Sequence, residues 1–168
     1  MTPKLKRRAW YPWLFIMLCG IFVTVVLLFV KDRPLELVVV VVGTVGGFTH
    51  FLYVQHQQDV VLFNDLFRDF NKRYNALNSD LNAIVSRTKG APLQKEEESI
   101  LCDYFNLCAE EHLFHDAGYI DQRVWYAWCK GMLFYADNNP EILKFWEKEL
   151  CSNSYYGFSL VKIRAALP

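Results

Sequence analysis

Two apolar runs lie almost end to end in this chain, Trp10–Val30 and Leu35–Val54, parted only by Lys31-Asp32-Arg33-Pro34. A helix rises ~1.5 Å per residue and a bilayer's hydrocarbon core is ~30 Å thick, so about 20 residues span it. Both runs meet that length. The first has no charged residue, and the second has one, Glu36, at its outer edge. The Val38–Val42 stretch would suit a buried strand in a soluble protein. In lipid, however, each backbone must satisfy its own hydrogen bonds, which favours two helices. Pro34 fits the first turn of the second helix, where its missing N–H leaves nothing unpaired. The expectation is a two-helix transmembrane hairpin over residues 10–54, with spans 10–30 and 35–54.

The first run does not read as a cleaved signal peptide. Phe22 to Val30 is bulky and lacks a small-x-small site, and the whole run Trp10–Val30 exceeds the ~7–15 residues of a signal h-region. Trp10, Tyr11 and Trp13 cluster at its edge, where amphipathic rings favour the headgroup layer. Orientation follows from the basic residues. Lys4, Lys6, Arg7 and Arg8 make residues 1–9 a basic tail, whereas the loop holds only Lys31 and Arg33. The excess of positive charge places the N-terminus in the cytoplasm. Two crossings return the chain there, so both termini are expected in the cytoplasm and residues 55–168 form a cytosolic domain.

Gly43 and Gly47 stand four apart on the second span, and Gly20 and Thr24 make a weaker pair on the first. Small residues let membrane helices approach closely. Two readings stay open: contact between the spans of one chain, or self-association with other copies.

Beyond the spans the pattern changes. Phe63, Leu66, Phe70, Tyr74, Leu77, Leu81 and Ile84 recur at steps of three and four, one helical stripe continuous with the second span. Asn71, Asn75, Asn78 and Asn82 are weak helix formers that need tertiary support, so the stripe is expected to pack on its own domain. Gly90 and Pro92 mark a turn over Thr88–Pro92. A helix is predicted over about Leu93–Ala117, closed by Gly118. Asp121 caps the next, to about Ala136. Asn139-Pro140-Glu141 opens another, to about Leu150. A loop over Ser152–Gly157 precedes a last short helix. The fold class is therefore all-α: a membrane hairpin followed by a cytosolic bundle of four to five helices.

Composition narrows the chemistry. Net charge is zero, and from Gln55 onward 12 Lys/Arg face 16 Asp/Glu, which argues against direct nucleic-acid binding and against a domain lying flat on anionic lipid. Cys19, Cys102, Cys108, Cys129 and Cys151 lack the spacing of a disulfide scaffold and read as reduced thiols. Cys108, His112 and His115 share a helix face, but zinc needs a fourth ligand or water and no matching pair stands out, so core or surface histidines explain them better. The same holds for Glu110 and Glu111: neighbours on a helix diverge by ~100° and cannot act on one bond. A solvated surface or an internal Arg partner is the expected role. No phosphate loop or nucleophile elbow is present. The chain is read as no enzyme, with no catalytic or metal residues, no cofactor and no small-molecule substrate. Tyr155, Tyr156 and Phe158, in a loop rich in aromatics, are candidate partner contacts.

The soluble half also resembles a family of small bacterial membrane proteins. The resemblance is carried by Phe70-Asn71-Lys72-Arg73-Tyr74-Asn75-Ala76-Leu77-Asn78, by Asp103-Tyr104-Phe105-Asn106-Leu107-Cys108-Ala109-Glu110-Glu111, and by Gly118-Tyr119-Ile120. Val124-Trp125, Trp128, Gly131-Met132, Trp146 and Tyr155-Tyr156-Gly157-Phe158 complete it, across about residues 63–158. These proteins join one or two N-terminal spans to a helical cytosolic domain, and some are similar to two-span effectors encoded beside retrons. The resemblance implies an inner-membrane effector of phage defence. A cytosolic partner, such as a reverse transcriptase with its DNA, would restrain it, and on release it would self-associate in the bilayer. The alternative is a passive anchor whose helical domain binds a cytosolic protein.

Overall fold

The computed structural model describes residues 11–29, 34–87, 90–151 and 154–167. The basic tail, Trp10, Val30, the Lys31–Arg33 loop and Thr88 lie outside the described residues.

Every element among the described residues is an α-helix, as the three-and-four spacing of apolar side chains requires. In chain order these are α1 (Tyr11–Phe29), α2 (Pro34–Val85), α3 (Lys95–Asp116), α4 (Gln122–Asn138), α5 (Pro140–Leu150) and α6 (Leu160–Ala166). The chain divides into two compact units, Pro3–Leu62 and Phe63–Pro168.

In the first unit, α1 is 19 residues long and carries no charged residue. The N-terminal part of α2 is long and apolar enough to cross a membrane, with a mean hydropathy of 2.0 over its most apolar 18-residue window. A core helix of a soluble protein passes the same test of length, but such a helix is mostly buried. Here only 6% of that window is buried. Leu35, Val39, Val40, Phe48 and Phe51 are all more than half exposed. Thr24, Thr44 and Thr49 turn their hydroxyls back onto carbonyls four residues earlier, at 2.8–2.9 Å. Their donors are thereby satisfied within each helix, without water.

The second unit has an ordinary aqueous core. Its centre is α3, which buries Leu101, Tyr104, Phe105, Leu107 and Cys108. Around it close Trp125, Cys129 and Met132 of α4, Ile142 and Trp146 of α5, and Ile163 of α6. From the C-terminal part of α2 come Phe70, Leu81 and Ile84, so the stripe begun at Phe63 packs on its own domain. Three of the asparagines that weaken this helix are used, Asn82 Nδ2 donating to the Asn78 carbonyl at 2.8 Å. Asn78 Oδ1 accepts from the Tyr135 hydroxyl at 3.3 Å, and Asn71 Nδ2 donates to the Phe67 carbonyl at 2.6 Å.

Local signals set the helix ends. Gly118, at φ +80°, closes α3 by a double turn: its N–H donates to His115 O and that of Tyr119 to Phe114 O. Asp121 caps α4, its carboxylate accepting from Arg123 N at 2.9 Å. Ser159 caps α6, accepting from Lys162 N at 3.3 Å. Helix α3 begins at Lys95, two residues after the predicted start, where Gln94 and Glu97 form a capping box.

Asn139 does more than cap. Its Oδ1 accepts from Glu141 N at 3.0 Å, while its Nδ2 donates to the Ile84 carbonyl at the end of α2, at 3.1 Å. The residue is buried, so both lost bonds go unreplaced by water. Asn139→Ala is expected to lower stability by ~2–3 kcal/mol, a cap and a buried hydrogen bond together. Asn139→Asp keeps the cap but loses the donor. Urea unfolding of the two variants checks it: Asp as stable as Asn would show the Ile84 bond to be negligible.

Candidate functional site

The small residues predicted to pack membrane helices occupy a consistent position. A side chain built at Gly20, Gly43 or Gly47 would meet nothing within 4 Å. The glycine that does face the first helix is Gly46, where an added Cβ would lie 3.8 Å from the Phe15 ring. Gly43 and Gly47 are thus uncovered among the described residues. Thr24, paired with Gly20 in the sequence, donates to the Gly20 carbonyl at 2.8 Å.

The aromatic loop before α6 splits its three candidate residues. Tyr155 and Phe158 are buried, and only Tyr156 is exposed. The Tyr155 hydroxyl donates to Glu149 Oε2 at 3.3 Å, and Phe158 stacks on Trp146 with ring centroids 5.9 Å apart. Burial beside Glu149 pushes the Tyr155 hydroxyl up to about 12. The turn that sends these two inward puts Tyr156 at φ +50° and Gly157 at φ +74°. A bulky side chain at positive φ is strained, and such strain clusters at functional positions. Lys162 Nζ ties the turn down by donating to the Gly157 carbonyl at 2.6 Å.

Cys108, His112 and His115 do not converge on a common point. Cys108 is fully buried, and burial drives its thiol well above the usual range, so it is neither thiolate nor nucleophile. His112 is buried between Trp125 and Phe158, and burial lowers its basicity although Asp116 opposes the effect. His115 stacks on Trp125, with centroids 4.8 Å apart at 15°, and its Nε2 lies 3.0 Å from Gln122 Oε1. Among the described residues no group of three His, Cys, Asp or Glu side chains is placed to hold a metal ion. All five cysteines are free.

The acidic pair on α3 has two different fates. Glu110 takes both Nη atoms of Arg73, at 2.5 and 3.0 Å, an internal Arg partner of the kind the sequence suggests. Glu111 turns inward and is 6% exposed. Burial raises its carboxyl to about 8, against the pull of Arg73. The sequence reading missed this burial. The available signal was the stripe Tyr104, Cys108, Glu111, whose steps of four and three place the acid on the core face. Glu111 borders a cavity of about 160 Å³ within the second unit.

Fold and site together define a class: an all-helical protein with a membrane-compatible apolar helix near its N-terminus and a separately cored helical unit after it. Compared with known proteins, the chain matches no family model, no curated protein and no solved structure.

Proposed function

We propose that this chain is the membrane effector of a bacterial antiphage system of the retron kind. Residues 10–30 and 35–54 cross the inner membrane as a hairpin, with both termini in the cytoplasm. The helical domain is held by a cytosolic partner, such as a reverse transcriptase carrying its DNA. Release lets hairpins associate and breach the bilayer. The observation that carries this reading is the bare glycine face of α2. Gly43 and Gly47 sit on an outward, apolar helix, and among the described residues nothing lies within 4 Å of a side chain built there. A second copy is what such a face accommodates. The resemblance over residues 63–158 adds the biological setting.

Inducing the protein alone in cells should collapse the membrane potential, read with a voltage-sensitive dye, and stop growth. Replacing both Gly43 and Gly47 by leucine should restore both, because the helices can no longer approach. Normal potential and growth, alone and during infection, would refute the proposal.

The exposed, strained Tyr156 favours a second reading, a passive anchor whose domain binds a cytosolic protein. Exchanging both spans for an unrelated hairpin separates the two. An anchor keeps its activity after the exchange, whereas a membrane-breaching effector loses it.

A further inference from the structure

Helix α3 carries an acid into the interior of its domain without giving it a partner. Glu111 is nine-tenths buried and accepts no hydrogen bond from any described residue. The nearby cation is already engaged: Arg73 is held bidentate by Glu110 and lies 3.7 Å from Asp69. Glu111 instead borders the cavity of about 160 Å³, together with Asn71 and Tyr74 of α2, Tyr104 of α3, and Trp128 and Gly131 of α4. Among the described residues no lysine, arginine or histidine lines it.

We propose that this cavity binds a small organic ammonium ion, with the Glu111 carboxylate as counter-ion and Tyr74, Tyr104 and Trp128 as walls. Three points of chemistry select that class. A buried carboxyl without a partner is relieved of its charge by a proton or by a cation, and an anion would add repulsion. Aromatic rings present negative faces, which attract alkylammonium groups and are indifferent to neutral ones. The volume suits a compact ion, roughly five times the space of one water in the liquid.

Binding must carry a pH signature. The groups acting on Glu111 are Arg73 from α2, Glu110, Tyr104 and Cys108 from α3, and Cys129 from α4. Both thiols and the Tyr104 hydroxyl are raised by burial and stay protonated through neutral pH, so Glu111 is the group among them that titrates there. Its value of about 8 makes the free carboxyl about nine-tenths neutral at pH 7 and about nine-tenths ionised at pH 9.

The test is a titration of the full chain in non-ionic detergent with tetramethylammonium chloride, followed by tryptophan fluorescence. Sodium chloride at equal ionic strength and the neutral isostere tert-butanol are the controls. A saturable response to tetramethylammonium alone is expected, about tenfold tighter at pH 9 than at pH 7. Glu111→Gln should weaken it at least tenfold and remove the pH slope. Gly131→Leu should abolish it by filling the cavity; a side chain there starts in open space, so the helix tolerates it. An equal response to tert-butanol, no saturation at pH 9, or undiminished affinity in Glu111→Gln would overturn the proposal. Should either variant fail to fold, the contrast between tetramethylammonium and tert-butanol on the unaltered chain decides alone.

Discussion

Trp146→Ala is expected to destabilise the helical domain by ~3–5 kcal/mol, the range for truncating a large aromatic in a sealed core. Trp146 has no exposed surface. Its ring stacks on Phe105 at 4.4 Å and 11°, meets Tyr104 edge-on at 5.9 Å, and lies against Phe158. These contacts join α3, α5 and the loop before α6, so no single helix can move inward to fill the space. Domains are stable by only ~5–15 kcal/mol, so the loss removes a large share. Trp146→Phe should cost much less. The indole Nε1 is buried without a hydrogen-bond partner, so the ring swap gives up volume but no bond. Urea unfolding of the full chain in detergent, followed by near-ultraviolet dichroism, measures both. Equal losses for Ala and Phe would show that the site collapses freely and that the stack is not what holds the helices.

Glu111 should make the same domain lose stability as the pH rises. Its carboxyl titrates at about 8 in the fold, raised first by burial, and at the ordinary 4.5 in the unfolded chain. Between those values the folded state holds a proton that the unfolded state has released. The stabilisation is fully present below the unfolded value and is lost as pH climbs through the folded one. At about 1.36 kcal/mol per unit, the whole window from 4.5 to about 8 amounts to an order-of-magnitude ~5 kcal/mol. Glu111→Gln removes this titration and keeps the shape, so its stability should fall less than that of the unaltered chain between about pH 6.5 and 8 and exceed it at pH 9. His112 acts at the other end. Burial lowers its pKa, so the unfolded chain takes up the proton first and stability falls below the ordinary histidine range of about 6.5. Below about 6.5 the two slopes oppose and flatten the profile, so the loss of stability is steepest between about 6.5 and 8. Unfolding midpoints at half-unit steps of pH check it, and parallel profiles for the two chains would remove Glu111 as the cause.

What could be read before the fold was known divides along the range of the interactions. The ends of α3, α4 and α5 follow from Gly118, Asp121 and Asn139-Pro140, because a cap is made within four residues of itself. The stripe from Phe63 to Ile84 likewise foretells which side of α2 is covered, since helical periodicity is a property of the segment alone. Periodicity puts Glu111 on the core face with Tyr104 and Cys108, but it supplies no partner for Glu110. Only the fold brings Arg73, 37 residues earlier, to Glu110 and makes that acid an ion pair. The aromatic loop is similar. Tyr155, Tyr156 and Phe158 look alike as contact residues, yet a backbone turned through positive φ at Tyr156 and Gly157 sends two of them into the core.

The sequence by itself determined that this chain is helical and that its apolar residues concentrate near the N-terminus. Hydrogen bonds four residues apart and the sum of side-chain hydropathies need no distant partner. Only the tertiary structure decided which glycines stay uncovered, which acid lost its water and where a cavity remained. Each of those depends on residues far apart in the chain arriving at one place, and the linear order carries no record of that meeting.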